Sequence, residues 1–344
     1  TSFLSEVAFI LSIALGIGFG MDALFGKNLP VLTAISILPA ILAILIVLPL
    51  HETPKFLLIN RNDRSAAIAS LEYYRGVTAE NEDTLKEIEM EKALEAGDEH
   101  TVSFESLKLE KNIPKIWQGV KEVLSMPYLR MAFFLGAATL QIVVGMKCVV
   151  YFSTDLLEDS FSPQISQIAT FVFMISEFSA SLFGLLVIER FGRRTLVVGL
   201  GIANVMSLCL YIASHLLITV WNPFRWGQIV ALVLFGMTYG VALGPIAYFI
   251  TSELVPQRHR SIVQSMVLGF NTLMNFMLSF ITLPCYKYIG VLSFIPLLVI
   301  PAILCIIFLH NFLPETRGRE VHEVVEELME RHNNYGGKNK VRRI

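Results

Sequence analysis

The chain has 344 residues, of which 54% are hydrophobic and only 16% are charged, and its mean hydropathy is +0.61. A soluble protein carries about 25% charged residues, so this composition indicates a membrane protein. The net charge of -2 gives no basic field, and the sequence has no RNA-binding motif, which argues against nucleic acid as a partner. Cysteines placed singly in or beside apolar segments favour reduced thiols over a disulfide or metal site; they are Cys148, Cys209, Cys285 and Cys305.

Eight apolar segments are long enough to cross a bilayer, which takes about 20 apolar residues. Because the lipid interior offers no partners for backbone N–H and C=O groups, we predict that each segment is a helix and that the protein is all-α. The segments lie near residues 3–25, 30–49, 129–154, 166–188, 195–219, 227–251, 262–286 and 291–312.

Two related motifs close the second and the last apolar segments. The first, L-H-E-T-P-K-F, runs from Leu50 to Phe56, and the second, L-P-E-T-R-G-R, runs from Leu313 to Arg319. Internal echoes of this kind are typical of transporters built from repeated half-bundles. Two segments precede the first motif and six lie between the motifs. If the two halves are equivalent, the whole bundle has twelve helices, of which about eight are present in this chain. We therefore expect a fragment, whose missing N-terminal helices would pack against it, rather than a short isoform that does not transport.

The same reasoning divides the chain into four parts. Residues 1–50 are predicted to be the last two helices of an N-terminal half-bundle, and residues 128–313 a complete C-terminal half-bundle of six helices. The polar stretch 51–127 between them is typical of short amphipathic helices lying at the membrane surface, rather than of a separate folded domain. Residues 314–344 form a polar tail.

The basic residues predict the orientation of the helices. Residues 51–128 carry 10 Lys and Arg, 189–195 carry 3, 252–262 carry 2, and 314–344 carry 7. The loops on the other side carry only Lys27, Arg225 and Lys287. Because basic loops stay on the cytoplasmic side, the long loop and both chain ends are predicted to be cytoplasmic.

Three further motifs follow at matching helix spacing. E-R-F-G-R-R-T begins at Glu189, G-P-I-A-Y-F at Gly244, and S-E-L-V-P-Q-R-H-R at Ser252. Together with the two Glu-Thr motifs they resemble the signature of sugar porters of the major facilitator superfamily, in the branch of the animal facilitative glucose transporters. The resemblance runs to about residue 330 and begins at the fifth helix of a twelve-helix member.

This resemblance implies a major facilitator helical bundle that transports a sugar or sugar-like solute by alternating access, as a facilitative uniporter. It also implies a multi-pass protein of the plasma membrane, with the lipid bilayer as its surroundings and no cofactor.

Charged residues at the cytoplasmic helix ends are candidates for a gate. They can pair when the cytoplasmic mouth closes and separate when it opens, which biases the two conformations. The alternative is that they only anchor the helices by the positive-inside rule. The predicted gate residues are Glu52, Glu189, Arg190, Arg193, Arg194, Glu253 and Glu315.

Two places in the apolar segments are predicted helix breaks. Pro245 removes a backbone donor and clashes with the preceding turn, next to Gly244, while Gly145 weakens the third segment. Transporters line their central cavity with broken helices. The alternative is that Gly and Pro are ordinary residues of membrane helices.

The expected sugar site departs from the family pattern. Glucose transporters carry Gln-Gln-x-x-Gly-x-Asn at the positions of residues 141–147. Here Gln141 is kept, but Ile142 replaces the second Gln and Lys147 replaces the Asn. A hexose needs paired donors and acceptors around its ring, because an unmet polar group in a dry site costs about 1–3 kcal/mol.

Further substitutions fall on the neighbouring helices. Glu177, Gly240 and Tyr248 align with a family Asn, Glu and Trp, which puts ordinary glucose transport in doubt. From the kept and the replaced positions together, the predicted substrate-binding residues are Gln141, Lys147, Glu177, Tyr248, Asn271 and Asn275.

Lys147 and Glu177 each lie near the middle of a membrane segment. A Lys at that depth costs about 2.5–3.5 kcal/mol on insertion scales, so it normally faces the bundle interior with a partner. The hypothesis is a charge pair that lines the cavity and binds a polar or charged substrate or responds to protons. The alternative is a pair that only locks helix packing.

Three classes of function remain open at this stage. The first is a sugar-porter-type solute carrier, with a hexose-like substrate or an altered one that is polar, charged or proton-coupled. The second is a transporter-like sensor or an inactive relative that binds without net transport, which the lost sugar contacts favour. The third is a membrane enzyme or a receptor with a helical bundle. An enzyme is disfavoured because the seven histidines are dispersed and no nucleophile lies beside a base.

Overall fold

The computed structural model describes residues 11–15, 18, 29–59, 61–77, 81, 84–86, 88–89, 113–319, 321 and 323–329. Throughout these residues the secondary structure is helix and turn, with no strand. Most of the first predicted segment, 3–25, and the end of the tail lie outside the described residues. The labelled helices are α1 Leu29–Val47, α2 Pro54–Ile59, α3 Arg64–Arg75, α4 Ile113–Ser125, α5 Pro127–Glu158, α6 Pro163–Arg190, α7 Arg193–Leu217, α8 Arg225–Thr238, α9 Gly244–Leu254, α10 Gln257–Ile289 and α11 Ile300–Phe312.

Four short helical segments join these helices. A 3-10 turn at Asn222–Phe224 precedes α8, and another at Gly290–Ser293 follows α10. Two π-helical segments continue the membrane helices: π1 at Tyr239–Leu243 joins α8 to α9, and π2 at Ile295–Val299 leads into α11.

Six helical stretches of the described chain are long and apolar enough to cross a membrane. They correspond to the third to eighth predicted segments, which confirms an all-α, multi-pass membrane protein. Helix α1 corresponds to the second predicted segment and has Pro39 inside it. The six stretches are Pro127–Glu158, Pro163–Arg190, Arg193–Leu217, Asn222–Leu254, His259–Ser293 and Ile295–Phe312.

Helix α5 is the centre of the bundle that these stretches form. It packs against α6, α9, α10 and α11, and its side chains at Leu129, Leu135, Leu140 and Leu157 are fully buried. Large apolar side chains on α6 and α10 are exposed instead, as at Phe183 and Phe280. An apolar outer surface around a packed centre is what a bundle surrounded by lipid requires.

Residues 44–119 form a separate compact unit. The short helices expected in this stretch are present as α2 and α3, but they also enclose a small core that the sequence analysis did not anticipate. The reason is that their apolar residues meet one another; the buried set is Leu57, Leu58, Ala67, Leu71, Leu85 and Ile88.

Asp63 begins α3 as its N-cap. Its carboxylate accepts a hydrogen bond from the Ala66 N–H at 3.0 Å and one from the Ser65 hydroxyl at 2.7 Å. The Ala66 N–H, followed by the Ser65 hydroxyl, lowers the pKa of the Asp63 carboxyl below its usual value of 3.8. The ionised carboxylate therefore favours the start of this helix.

Candidate functional site

The motif residues meet at one end of the bundle, where α6, α9 and α11 end and α7 begins. The Glu315 carboxylate, just beyond α11, accepts a hydrogen bond from the Arg193 N–H at 2.7 Å. The first N–H groups of a helix have no partner within the helix, so this carboxylate satisfies one of them and sits at the positive end of the helix dipole. Gly192 makes room for it, because a Cβ at that position would collide with Glu315 Oε2.

Glu253 joins the same contacts from the end of α9. Its Oε2 accepts a hydrogen bond from the Thr316 hydroxyl at 2.5 Å and lies 3.7 Å from Arg193 Nε. The Arg193 and Glu253 side chains are 20% and 30% exposed, so this ion pair is only partly screened by solvent. We call Arg193, Glu253, Glu315 and Thr316 the helix-end cluster.

Two further arginines join neighbouring helix ends by donating side-chain hydrogen bonds to backbone carbonyls. Arg317 Nη1 donates to the Arg190 carbonyl at 2.5 Å, and Arg194 Nη2 donates to the His310 carbonyl at 2.6 Å. Carbonyls in the last turn of a helix lack partners within the helix and attract cations. Arg190 therefore contributes its backbone at the end of α6, while its own side chain is exposed.

Two predicted gate residues have other surroundings. Glu189 is exposed at the end of α6. Glu52 belongs to the separate unit 44–119, where its carbonyl accepts a hydrogen bond from the Ser70 hydroxyl at 2.5 Å.

The two predicted helix breaks differ in the structure. The helix has π geometry over Tyr239–Leu243, where the Gly244 N–H donates to the Tyr239 carbonyl five residues earlier. The α-helical geometry resumes at Gly244, and Pro245 lies in the first turn of α9. Helix α5, by contrast, runs without interruption through Gly145. The physical reason is that glycine keeps its N–H donor whereas proline has none. The absent side chain at Gly145 instead admits Leu298, which would lie 3.3 Å from a Cβ there.

Segment π1 packs closely on α6 at two glycines. A Cβ at Gly184 would collide with the Val241 carbonyl oxygen, and a Cβ at Gly240 would lie 2.5 Å from the Glu177 carbonyl oxygen. Pro245 stands four residues after Val241 and has no N–H, so the Val241 carbonyl lacks its usual α-helical donor. Close approach of α6 therefore depends on the missing side chains.

The two predicted asparagines of α10 bond to each other, and Asn271 also contacts α5. Asn271 Nδ2 donates to the Leu140 carbonyl at 3.4 Å, and Asn275 Nδ2 donates to the Asn271 side-chain oxygen at 2.9 Å. Both are buried, and in the described part of the chain Asn275 Oδ1 has no hydrogen-bond partner. This oxygen is an acceptor available to a polar solute or water.

Gln141 lies on another face of α5, about 100° from Leu140 by helix geometry. It lines a small pocket with Gly145, Asn204, Phe235 and Leu298. Among the described residues, the buried Gln141 Oε1 has no hydrogen-bond partner. The structure thus places Gln141 beside Asn204 of α7, a residue that the sequence analysis missed.

The predicted ion pair between Lys147 and Glu177 is not present: within the described chain, no ion pair joins the two side chains. The direction in which the Glu177 side chain leaves α6 explains why the predicted pair does not form. Glu177 is 3% exposed, and a Cβ at Gly236 would lie 3.4 Å from its Cβ, so its side chain leaves α6 on the face that packs against α8. Lys147 is half-buried on α5.

Tyr248 is half-buried on α9, and its carbonyl accepts a hydrogen bond from Gln264 Nε2 at 2.8 Å. The predicted substrate-binding residues therefore occupy four helices of one bundle: Gln141 and Lys147 on α5, Glu177 on α6, Tyr248 on α9, and Asn271 and Asn275 on α10.

Several polar contacts were not predicted. Asn204 and Thr238 join α7 to the end of α8, and at the opposite ends of these helices Gln228 Nε2 lies 2.9 Å from His215 Nδ1. A sequence signal existed for Asn204, because it is the one side-chain amide in the helix Arg193–Leu217. Polar residues inside membrane helices commonly bond across helices.

Comparison with known proteins gives matches over most of the chain. The sequence profile of the family described as "Sugar (and other) transporter" matches residues 2–328. The chain is 28% identical over 330 residues to facilitated glucose transporter member 1 of solute carrier family 2 from Gallus gallus, covering 93% of this chain and 62% of that relative. It is 25% identical over 299 residues to the facilitated trehalose transporter Tret1-2 homolog of Drosophila sechellia, covering 84% and 56%.

Solved structures match as well. The major facilitator superfamily proton:xylose symporter XylE, bound to 6-bromo-6-deoxy-D-glucose, superposes with a TM-score of 0.65 at 15% identity, covering 94% of this chain and 65% of that one. The inward open conformation of XylE from E. coli gives 0.54 at 16% identity, covering 93% and 62%. These matches confirm the predicted major facilitator fold. The chain spans less than two thirds of the length of these relatives and structures.

Proposed function

Because this chain belongs to the sugar (and other) transporter family, we propose that it carries a sugar or sugar-like small solute across a membrane by alternating access. The observation that carries the proposal is the family match over residues 2–328. It is supported by the helix-end cluster, in which the motif residues bond to one another. The relatives are named as transporters, which favours transport over catalysis.

The helix-end cluster is the proposed cytoplasmic gate. In the conformation described here Arg193, Glu253, Glu315 and Thr316 hold the ends of α9 and α11 against the start of α7. Partly buried charge pairs of this kind favour the conformation in which they form, while exposed pairs contribute only about 0–1 kcal/mol. Arg190 and Arg194 support the same closure through their contacts with Arg317 and His310. For the exposed Glu189, and for Glu52, the role stays a prediction.

The solute is proposed to meet polar groups from α5 and α10 near the middle of the bundle. Gln141 Oε1 and Asn275 Oδ1 are buried acceptors that have no hydrogen-bond partner in the described part of the chain. A hydroxylated solute offers the donors that such oxygens lack. Lys147, Glu177, Tyr248 and Asn271 complete the proposed set.

In its first form, the proposal is that the protein is a facilitative uniporter in the plasma membrane. The alternative is a carrier with a polar, charged or proton-coupled substrate. Glu177 favours this alternative, because its carboxyl group is nearly fully buried inside a membrane helix. A sensor that binds a solute without carrying it is the remaining form.

Uptake tests these forms directly. Cells that express the full-length parent of this chain are given labelled glucose, xylose, trehalose or a polyol, at neutral and at mildly acidic pH. We expect saturable uptake of at least one of them. Uptake that is indifferent to pH supports the uniporter, and uptake that rises in acid supports proton coupling. Binding without uptake supports the sensor, and no binding or uptake of any of them contradicts the proposal.

A further inference from the structure

We propose that Asn204 is a positioning residue that holds segment π1 (Tyr239–Leu243), which precedes Gly244–Pro245, in place against α7. Through this contact it sets the rate of the conformational change of alternating access. The inference rests on the proposed function, since it concerns the movement of α9 during alternating access. Asn204 itself need not touch the solute.

Asn204 reaches from α7 to the last turn of α8. Its Nδ2 donates to the Phe235 carbonyl at 3.2 Å and to the Thr238 hydroxyl at 3.0 Å. Asn204 is 5% exposed, so these hydrogen bonds form away from solvent. One amide group thus holds two atoms three residues apart on the neighbouring helix.

The bonded atoms lie where the α-helical pattern ends. The Phe235 carbonyl also accepts hydrogen bonds from the Tyr239 N–H and from the Thr238 hydroxyl, the latter at 2.9 Å. A Thr hydroxyl bonded back to its own helix bends the helix. The π geometry begins at Tyr239, the next residue along the chain. Asn204 therefore fixes the turn from which π1 starts.

Segment π1 is held from a second helix as well. Gly184 of α6 lies against the Val241 carbonyl, and Gly240 lies against the backbone of α6 at Glu177. The contact of π1 with the backbone of α6 is close packing, whereas the contact made by the Asn204 amide consists of hydrogen bonds, which can break and re-form. The transition between two helix geometries is then controlled at the Asn204 contact, which is where a rate-determining residue is expected.

The location of Asn204 also connects this contact to the proposed solute path. Asn204 and Phe235 line the same pocket as Gln141 and Gly145. A change in the position of α8 against α7 therefore reshapes the pocket beside Gln141.

A packing role is the competing explanation, because interhelical hydrogen bonds in membranes stabilise the folded bundle whether or not the helices move. The two explanations differ in kinetics. A packing residue changes the amount of folded protein, while a positioning residue changes the maximal transport rate per folded molecule and leaves the half-saturating solute concentration in place.

The test compares Asn204→Leu, which keeps the branched shape but has no donor, with Thr238→Val, which removes the hydroxyl at the other end of the bond. Thr238→Ser keeps the hydroxyl and serves as the rescue. Ser207→Ala is the matched control, because the Ser207 hydroxyl bonds within its own helix, to the Asn204 carbonyl at 2.6 Å. Backbone hydrogen exchange of residues 235–247 is measured on purified protein, and uptake of labelled glucose, xylose and trehalose is measured in cells.

We expect Asn204→Leu and Thr238→Val to increase exchange over residues 235–247, with Thr238→Ser and Ser207→Ala close to the parent. We expect the maximal uptake rate per molecule to change about tenfold, which corresponds to about 1.4 kcal/mol, with the half-saturating concentration unchanged. Unchanged exchange in Asn204→Leu and Thr238→Val overturns the inference, as does a changed half-saturating concentration with an unchanged rate. Failure of the parent protein to take up any of the sugars instead counts against the proposed function, and the exchange result still decides whether Asn204 holds π1.

Discussion

The Glu315 carboxylate caps the helix that begins at Arg193, although the two residues stand 122 positions apart in the chain. The contact depends on a third residue, because only glycine at position 192 leaves space for the carboxylate. Glu315 and Arg193 come from different sequence motifs, so this hydrogen bond joins two motifs in the folded protein. It also fixes the segment after α11, whose Thr316 reaches Glu253.

Removal of the Glu315 carboxylate is predicted to destabilise the start of α7. Glu315→Ala should cost about 0.5–2 kcal/mol, the usual effect of losing a helix cap. Gly192→Ala should produce a similar loss, because its Cβ displaces the carboxylate. Since both changes break one contact, the double variant should lose less than the sum of the single variants. Thermal unfolding of the purified protein measures all three.

Glu189→Ala is the control for this series. Glu189 is exposed at the neighbouring helix end, so the substitution should change stability by less than about 0.5 kcal/mol. Equal losses from Glu189→Ala and Glu315→Ala, or full additivity of Gly192→Ala with Glu315→Ala, would show that the cap does not act as described.

The close contact between α6 and π1 predicts strong effects of small substitutions. Gly184→Ala and Gly240→Ala place a Cβ against backbone oxygen atoms that cannot move away, so each should destabilise the protein by about 1–3 kcal/mol. Gly199→Ala is the matched control, since a Cβ at Gly199 meets nothing within 4 Å. The midpoint of thermal unfolding should fall for the first two variants and stay or rise for the third.

The absence of an ion pair between Lys147 and Glu177 predicts independent effects. Lys147→Met and Glu177→Gln should each alter uptake, and the logarithms of their effects should add in the double variant. If Glu177 binds protons, the pH dependence of uptake should disappear in Glu177→Gln and persist in Lys147→Met. A double variant that restores the parent rate would show that the two side chains pair in a conformation used during transport.

The N-cap of α3 predicts a pH-dependent start of that helix. Because hydrogen bonds lower the pKa of Asp63, its contribution is present above the usual value of 3.8 and is lost as the pH falls through the lower, folded-state pKa. At neutral pH Asp63→Ala should reduce hydrogen-exchange protection of the α3 amides, while Asp63→Asn, also a good cap, should retain most of it. Protection in Asp63→Asn should not change over the acidic range in which the parent loses its own.

The positions of the membrane helices can be predicted from the sequence, whereas the geometry at the predicted helix breaks can be predicted only in part. Length and hydropathy locate the six helices from Pro127 to Phe312, because lipid forces apolar segments of that length to be helical. The π geometry before Gly244 reflects the missing donor of Pro245, which is visible in the sequence. The continuity of α5 through Gly145 is set by how Leu298 fills the space, which only the packed structure reveals.

Sequence motifs also predict which charged residues belong together, but not the contacts they make. Glu253 and Glu315 do meet at the start of α7, yet Arg190 acts there through its carbonyl rather than its charge. The direction of Glu177 and the bonds of Asn204 depend on the rotation of α6 and α7 about their axes. Apolar residues surround much of each helix, so hydrophobic periodicity defines that rotation poorly.

Saturable uptake of labelled sugars would establish whether this protein is a transporter. Cells expressing the full-length parent of this chain, and cells expressing its Glu253→Gln variant at equal surface abundance, are compared for uptake of glucose, xylose and trehalose. We predict saturable uptake of at least one sugar by the parent protein, with a reduced rate in Glu253→Gln because the helix-end cluster loses its charge pair with Arg193. Equal, non-saturable uptake in parent, variant and untransfected cells would contradict it.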